Sequence, residues 1–253
     1  MQPAAAPTIA SWSTPQTHDD GLVTRMFRLV VSGHAVPGVL WTPAGTGQPR
    51  PLVLMGHGGS QHKASPAMTA RAAQLVLHHG FAVAAIDGPL HGERRKVLAL
   101  GLERQAEFLA MWRRDPQIDL MVADWKAAID AVLALGEFDA RRIAWHGVSM
   151  GTAYGLPLLA CEPRIAAAVL GMWGTSYPNS ERLAAAAPQV RCPVLFQQKW
   201  DDELFTRESQ IALFGALGCE HKWLKVYPGR HAVIAEQLDD AAHFLARAIS
   251  SDP

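Results

Sequence analysis

Neither sign of charge prevails in this chain: its 253 residues carry 23 Lys and Arg against 23 Asp and Glu, a formal net charge of zero. Without a basic excess, bulk electrostatics offer nothing to a nucleic-acid backbone or an anionic membrane surface, and neither is expected as a partner. Cysteine is scarce and odd in number. Cys161, Cys192 and Cys219 form no CxxC pair and cannot all pair with one another, so a disulfide framework is not expected. Each sits in an apolar stretch and reads as a small buried hydrophobe. No run of about 18 uncharged apolar residues occurs, which argues against a spanning helix. Residues 1–20 are rich in Pro, Ala, Ser and Thr but lack the basic start and apolar core of a secretory signal. They read as an N-terminal extension, and the chain as a soluble cytoplasmic protein, monomeric or homodimeric.

What is present is enough apolar material, 49% of residues against 18% charged, to bury a large core. The length suits one α/β domain spanning 1–253. Short β-rich runs alternate with longer helical ones. Phe27 to Val31 and Val36 to Trp41 flank a Ser-Gly-His turn and predict a hairpin. Pro51 to Met55 and Phe81 to Ile86 are apolar throughout, as strands buried on both faces require. Pro66 to His79 predicts a helix, with Ser65 as cap, Pro66 in its first turn and Gly80 closing it. Gly92 to Arg114 is polar, basic and weakly periodic. Met121, Trp125, Ile129 and Val132 recur at helical spacing. Further strands are expected at Ile143 to Val148, Ala166 to Leu170, Val194 to Gln197 and Trp223 to Val226. Helices are expected at Met150 to Ala160, Arg207 to Leu217 and Ala232 to Ile249. Such alternation implies a mostly parallel sheet with helices on both faces, and catalytic groups in loops at the carboxyl ends of the strands.

The strongest chemical signal is Gly147-Val148-Ser149-Met150-Gly151, a GxSxG set between an apolar strand and a helix-compatible segment. A serine on that turn is held strained, with its hydroxyl exposed above the sheet. Upstream, Met55-Gly56-His57-Gly58-Gly59-Ser60 closes a strand. Downstream come Gln198-Lys199-Trp200-Asp201-Asp202-Glu203-Leu204-Phe205 and then Val226-Tyr227-Pro228-Gly229-Arg230-His231, each after a strand.

These motifs, in this order, resemble the α/β-hydrolase superfamily from about Arg25 to the C-terminus. The resemblance implies the α/β-hydrolase fold, with a mostly parallel sheet of about eight strands. It implies a triad of Ser149 as nucleophile, Asp202 as acid and His231 as base, in the family's chain order. Asp201 is the rival for the acid, with a turn or helix cap as its alternative use. The usual His-Gly of the acid loop is replaced here by Gln198-Lys199. The glycine loop resembles the family's HG motif, so that Gly59, or else Ser60, and Met150 would supply oxyanion-hole amides. His57 reads as a structural hydrogen-bonder. Asp87-Gly88-Pro89-Leu90-His91-Gly92-Glu93-Arg94 resembles the D-x-x-G-H-G-x-S loop. Its Asp87 and His91 are expected to tie down loops rather than hold a metal, since no third ligand lies at usable spacing.

Compact size, the GHGGS loop and the lack of a long lid resemble the dienelactone-hydrolase-like branch. Members with dienelactone activity use a cysteine where this chain has Ser149, which favours an esterase. The implied reaction needs neither metal nor organic cofactor, and its partner is a small-molecule ester. An amidase, a thioesterase or a non-catalytic binding protein are the alternatives. Trp173, Trp200 and Phe205 are candidates for an apolar acyl pocket, with loop packing as the other reading. Residues 92–116 are a candidate small cap with Trp112 pointing inward. The arginines of that segment, Arg94, Arg95, Arg104, Arg113 and Arg114, are expected on a solvated face, with contact to a substrate carboxylate as the alternative.

Overall fold

Two consecutive left-handed residues, Ser32 (φ 48°) and Gly33 (φ 81°), reverse the chain between its two longest described strands. The structure, a computed structural model, describes residues 8–45, 47, 49–95, 102–113 and 117–249. In chain order the first strands are β1 (Thr8–Trp12), β2 (Gln16–Thr17), β3 (Leu22–Val31) and β4 (His34–Pro43). The hairpin of β3 and β4 runs in register from Leu22 opposite Pro43 to Val31 opposite His34, longer than the apolar runs predict. Then follow β5 (Arg50–Met55), α1 (Pro66–His79), β6 (Ala82–Ile86), α2 (Leu102–Trp112) and α3 (Gln117–Leu133). The rest comprises β7 (Phe138–His146), α4 (Met150–Leu159), β8 (Ile165–Gly171), α5 (Glu181–Ala186), β9 (Val194–Lys199), α6 (Arg207–Ala216), β10 (Lys222–Tyr227) and α7 (Ala235–Ile249). Ten strands are thus present among the described residues, against about eight expected. The extra ones include β1 and β2, which lie in the segment read as an extension and pair antiparallel with β3.

The chain divides into two compact units. The first comprises Met1–Leu52 with Ser60–Asp139. Its strands run β1-β3-β4-β6, all antiparallel. Helix α1 begins and ends where Pro66 and Gly80 predict. Gly80 adopts φ 68° and donates its N–H to Val76. Ser65 has the extended backbone of a cap, but its hydroxyl makes no capping bond.

In this unit Asp87 is fully buried and accepts hydrogen bonds from the Lys63 amide, the Lys63 ammonium and the Glu93 amide, each at 2.9 Å. It ties loops, as expected, whereas the bond from His91 to the Pro89 carbonyl at 2.7 Å closes only its own turn. Arg94 departs from the expected solvated face. Its guanidinium donates to the buried Asp124 at 2.7 Å and to the Asp87 carbonyl at 3.0 Å. A buried carboxylate needs such a partner more than a surface needs another cation. The weakly periodic stretch contains α2, where Trp112 is fully buried and stacks on Phe108 at 6.0 Å between ring centres. Residues 96–101 and 114–116 of the expected cap, Arg114 among them, lie outside the described residues.

The second unit comprises Val53–Gly59 with Ala140–Pro253. Here the strand order is β5-β7-β8-β9-β10, with β7 through β10 parallel. Strand β8 is almost wholly apolar and β9 wholly buried, as strands covered on both faces must be. Among the described residues no helix is long and apolar enough to cross a membrane.

Candidate active site

The site lies entirely within the second unit, and its geometry starts with a tryptophan. Trp145, near the end of β7, is fully buried. A Cβ on Gly155 would meet its indole at 2.2 Å, one on Gly56 at 2.5 Å and one on Gly147 at 2.9 Å. Gly147 of the GxSxG, Gly56 just before the HG loop and Gly155 in α4 are therefore small partly because one large ring occupies the space beside them.

Immediately after β7 the chain must turn into α4, and Ser149 takes the turn. Its backbone stands at φ 57° and ψ −125°, a region that costs a non-glycine residue about 1–3 kcal/mol. Several bonds hold it there. The Ser149 amide donates to the Gly171 carbonyl at 2.8 Å. The Thr152 hydroxyl accepts from the Gly171 amide at 2.7 Å and lies within donating distance of the Gly171 and Gly147 carbonyls, at 2.7 and 3.1 Å. Thr152 was not singled out by sequence, because a threonine in the first turn of a helix carries no signal of its own. Gly171 must be glycine, since a Cβ would fall 2.0 Å from the Gln197 carbonyl oxygen.

Three side chains converge in a line. The Ser149 Oγ lies 2.9 Å from His231 Nε2. His231 Nδ1 lies 2.8 Å from Asp202 Oδ2. The other Asp202 oxygen accepts the amides of Leu204 at 2.9 Å and Phe205 at 3.1 Å, so the fully buried carboxylate has donors on both oxygens. With Nδ1–H directed at the carboxylate, Nε2 presents its lone pair to the serine hydroxyl. Asp201 points elsewhere, to the Arg207 guanidinium at 3.2 Å, with its side chain 56% exposed.

The loop of His231 is tied to the acid loop by more than this pair. Glu203 accepts the main-chain N–H of His231 at 2.8 Å. That bond, chiefly, holds the Glu203 carboxyl below the usual carboxylate range. Burial pulls the Lys199 ammonium, at the end of β9, below the ordinary lysine range against the opposing pull of Asp202 and Glu236.

Met150, expected to supply an oxyanion amide, opens α4, where helical amides have no partner within the helix. Gly59 is exposed, and no atom lies within 4 Å of where its Cβ would be. His57 donates from Nδ1 to the Gly58 carbonyl at 2.9 Å, a structural use.

Beside these three side chains stands an aromatic wall. Phe205 packs on the His231 ring at 5.4 Å and on Trp173 at 4.8 Å. Tyr177, which the sequence did not single out, completes the group at 4.6 Å from Trp173. Trp173 and Phe205 are buried, and the Trp173 N–H donates to Ser180 at 3.0 Å. Trp200 differs from them. It is 50% exposed, with the Arg207 guanidinium 4.0 Å above its ring.

Comparison with known proteins gives a consistent set of likenesses. The chain matches a cold-adapted esterase from an Arctic intertidal metagenomic library, solved as a PEG-bound complex, with a TM-score of 0.84 and 39% identity. That match covers 94% of this chain and 99% of the other. A putative dienelactone hydrolase from Klebsiella pneumoniae shares the fold at a TM-score of 0.73 and 16% identity, over 91% of this chain and 99% of that one. The 2,6-dihydropseudooxynicotine hydrolase of Paenarthrobacter nicotinovorans is 31% identical over 146 residues, 58% of this chain. The matched stretch spans about a third, 34%, of that curated relative. No family model matches the sequence.

Proposed function

Because the chain belongs to the α/β-hydrolase superfamily and is 39% identical over nearly its whole length to an esterase, we propose that it is a serine hydrolase cleaving carboxylic esters through an acyl-enzyme. The observation that carries this reading is the continuous line from Ser149 Oγ to His231 Nε2 and from His231 Nδ1 to Asp202, at 2.9 and 2.8 Å.

In the proposed reaction His231 Nε2 takes the Ser149 proton as Oγ bonds to the ester carbonyl carbon. Asp202 holds the ring by its Nδ1–H and stabilises the imidazolium that forms. The carbonyl oxygen becomes an oxyanion, which the amides of Met150 and Gly59 are assigned to stabilise; losing one such donor costs about 10²–10³ in rate. Collapse breaks the bond to the alcohol oxygen, which receives the proton from His231 and leaves. Water then gives a proton to His231, attacks the acyl carbon and releases the acid, returning the proton to Ser149.

Trp173 and Phe205 are assigned to the acyl side, supported by the packing of Phe205 on the His231 ring. Trp200 is assigned to the rim, in keeping with its half-exposed ring. Ester rather than amide is the preferred bond because the full-length neighbour at 39% identity is an esterase.

The test is hydrolysis of a p-nitrophenyl ester series by wild type and Ser149→Ala, together with labelling by a fluorophosphonate probe. Turnover and labelling that both vanish in the variant support the reading. A folded wild type that neither turns over nor labels would replace it with a non-catalytic binding role.

A further inference from the structure

Three successive residues of the acid loop each make one bond to the short stretch that carries His231. The Asp201 amide donates to the Gly229 carbonyl at 3.2 Å, Asp202 accepts from His231 Nδ1, and Glu203 accepts from the His231 amide at 2.8 Å. The triad reading uses only the middle one. From this arrangement we infer that Glu203 is a positioning residue, whose carboxylate fixes the backbone of His231 while that of Asp202 fixes its ring. The inference rests on the triad reading of the site.

The physical need is plain in the loop. Residues 228–234 form no regular structure, and Pro228, Gly229, Arg230 and Ala232 are exposed. Gly229 adopts φ 89°, a left-handed turn that glycine makes without strain and that adds no hold on the following residues. Asp202, Ser149 and Phe205 hold the imidazole ring, but ring contacts by themselves leave the Cα of His231 able to swing about them. A second acceptor on the N–H of the same residue removes the swing, because the ring and the main chain are then held at two points. The bond is charge-assisted, and so stronger than an amide-to-carbonyl bond of the same length. Arg230 lies 3.5 Å from the same carboxylate oxygen but is 76% exposed, so it competes little with the amide. Glu203 and Asp202 are adjacent in sequence, so any shift of the acid loop carries both holds on His231 together and preserves their relative geometry.

Displacing a reacting group by about 1 Å costs up to about a hundredfold in rate. Because Glu203 is itself partly exposed, water replaces part of the lost bond. The expected loss on removing the acceptor is therefore smaller, about tenfold. The experiment compares kcat and KM on a short-chain p-nitrophenyl ester for wild type, Glu203→Ala, Glu203→Gln and Ser149→Ala, with melting temperatures to show that each is folded. Glu203→Ala is expected to lower kcat about tenfold with KM within about twofold of wild type. Glu203→Gln keeps an oxygen acceptor in the same place and is expected to recover kcat to within about threefold of wild type.

A wild-type kcat in Glu203→Ala would overturn the inference. So would equal losses in the Ala and Gln variants, which would make the charge rather than the acceptor the cause. A rise in KM alone would also overturn it. Ser149→Ala separates this from failure of the triad reading: if that variant turns over normally, the nucleophile assignment has failed, whatever the Glu203 variants do.

Discussion

The carbonyl oxygen of Gly56 stands 2.7 Å from where a Cβ would project from Gly151. The end of β5 and the first turn of α4 therefore meet backbone to backbone, one residue before the HG loop and two after the candidate nucleophile. An alanine at 151 must push against main chain, which cannot swing aside as a side chain can. Gly151→Ala should cost about 1–3 kcal/mol of stability. It should also lower turnover beyond what the loss of folded protein explains, since Met150 moves with its neighbour. Denaturant melts and kcat measured on the folded fraction check both parts.

The two aspartates of the acid loop should separate sharply. Asp202→Asn keeps the shape of the side chain but turns an NH₂ toward Nδ1 or forces the other tautomer, and should lower kcat by about 10⁴-fold. Asp201→Asn should stay within about threefold, because its carboxylate is exposed and meets Arg207, a pair worth little. Steady-state kinetics on the same ester decide between them. Equal losses would show that the loop, and not one carboxylate, carries the effect.

Trp145 should be among the most sensitive positions outside Ser149, Asp202 and His231. It is fully buried and fills the space bordered by Gly56, Gly147 and Gly155. Truncation to Ala should cost about 3–5 kcal/mol. Phenylalanine should recover part of that, since a smaller ring leaves a smaller void. Urea denaturation midpoints of the two variants test the order.

Thiol chemistry gives a prediction in pH. Burial, aided by the neighbouring Cys219, pushes the Cys192 thiol up to about 12, and burial raises Cys219 as well. Cys161 is exposed. At pH 8 a disulfide reagent such as Ellman's should titrate Cys161 readily in the folded protein, and the other two only on unfolding, since the thiolate is the reactive form. Because the folded value of Cys192 is raised, its contribution to stability is complete below the ordinary thiol value of about 8.5 and declines as pH rises toward the folded value. The melting temperature of Cys192→Ala should therefore fall less steeply than that of wild type above about pH 9.

Several features of the fold and of the site were legible in the sequence for local reasons. The ends of α1 follow from Pro66 and Gly80, because proline suits a first turn and glycine the left-handed close. The elbow at Ser149 follows from flanking glycines between an apolar strand and a helix, a constraint contained in five residues. Strand β8 was visible because burial on both faces demands an almost unbroken apolar run, and β9 only through its apolar first half, Val194 to Phe196. Others were not legible. Strand β1 was missed because pairing with β3 makes it a strand, and no periodicity of its own announces it. Helix α2 was missed because its stretch is polar and weakly periodic, although Trp112 at its end is fully buried.

The sequence by itself determined the order Ser149, Asp202, His231 along the chain and the kinds of turn that carry them, since both are properties of short segments. Loop spacing favoured Asp202 over the adjacent, chemically identical Asp201, and only the tertiary structure shows which of the two faces His231. The direction of a side chain in an irregular loop is set by what the loop packs against: Arg207 draws Asp201 outward, while the Leu204 and Phe205 amides draw Asp202 inward. The same holds for Thr152, Trp145 and Glu203. Each acts on residues brought near by folding, and contacts of that kind leave no mark on the pattern of residues around them.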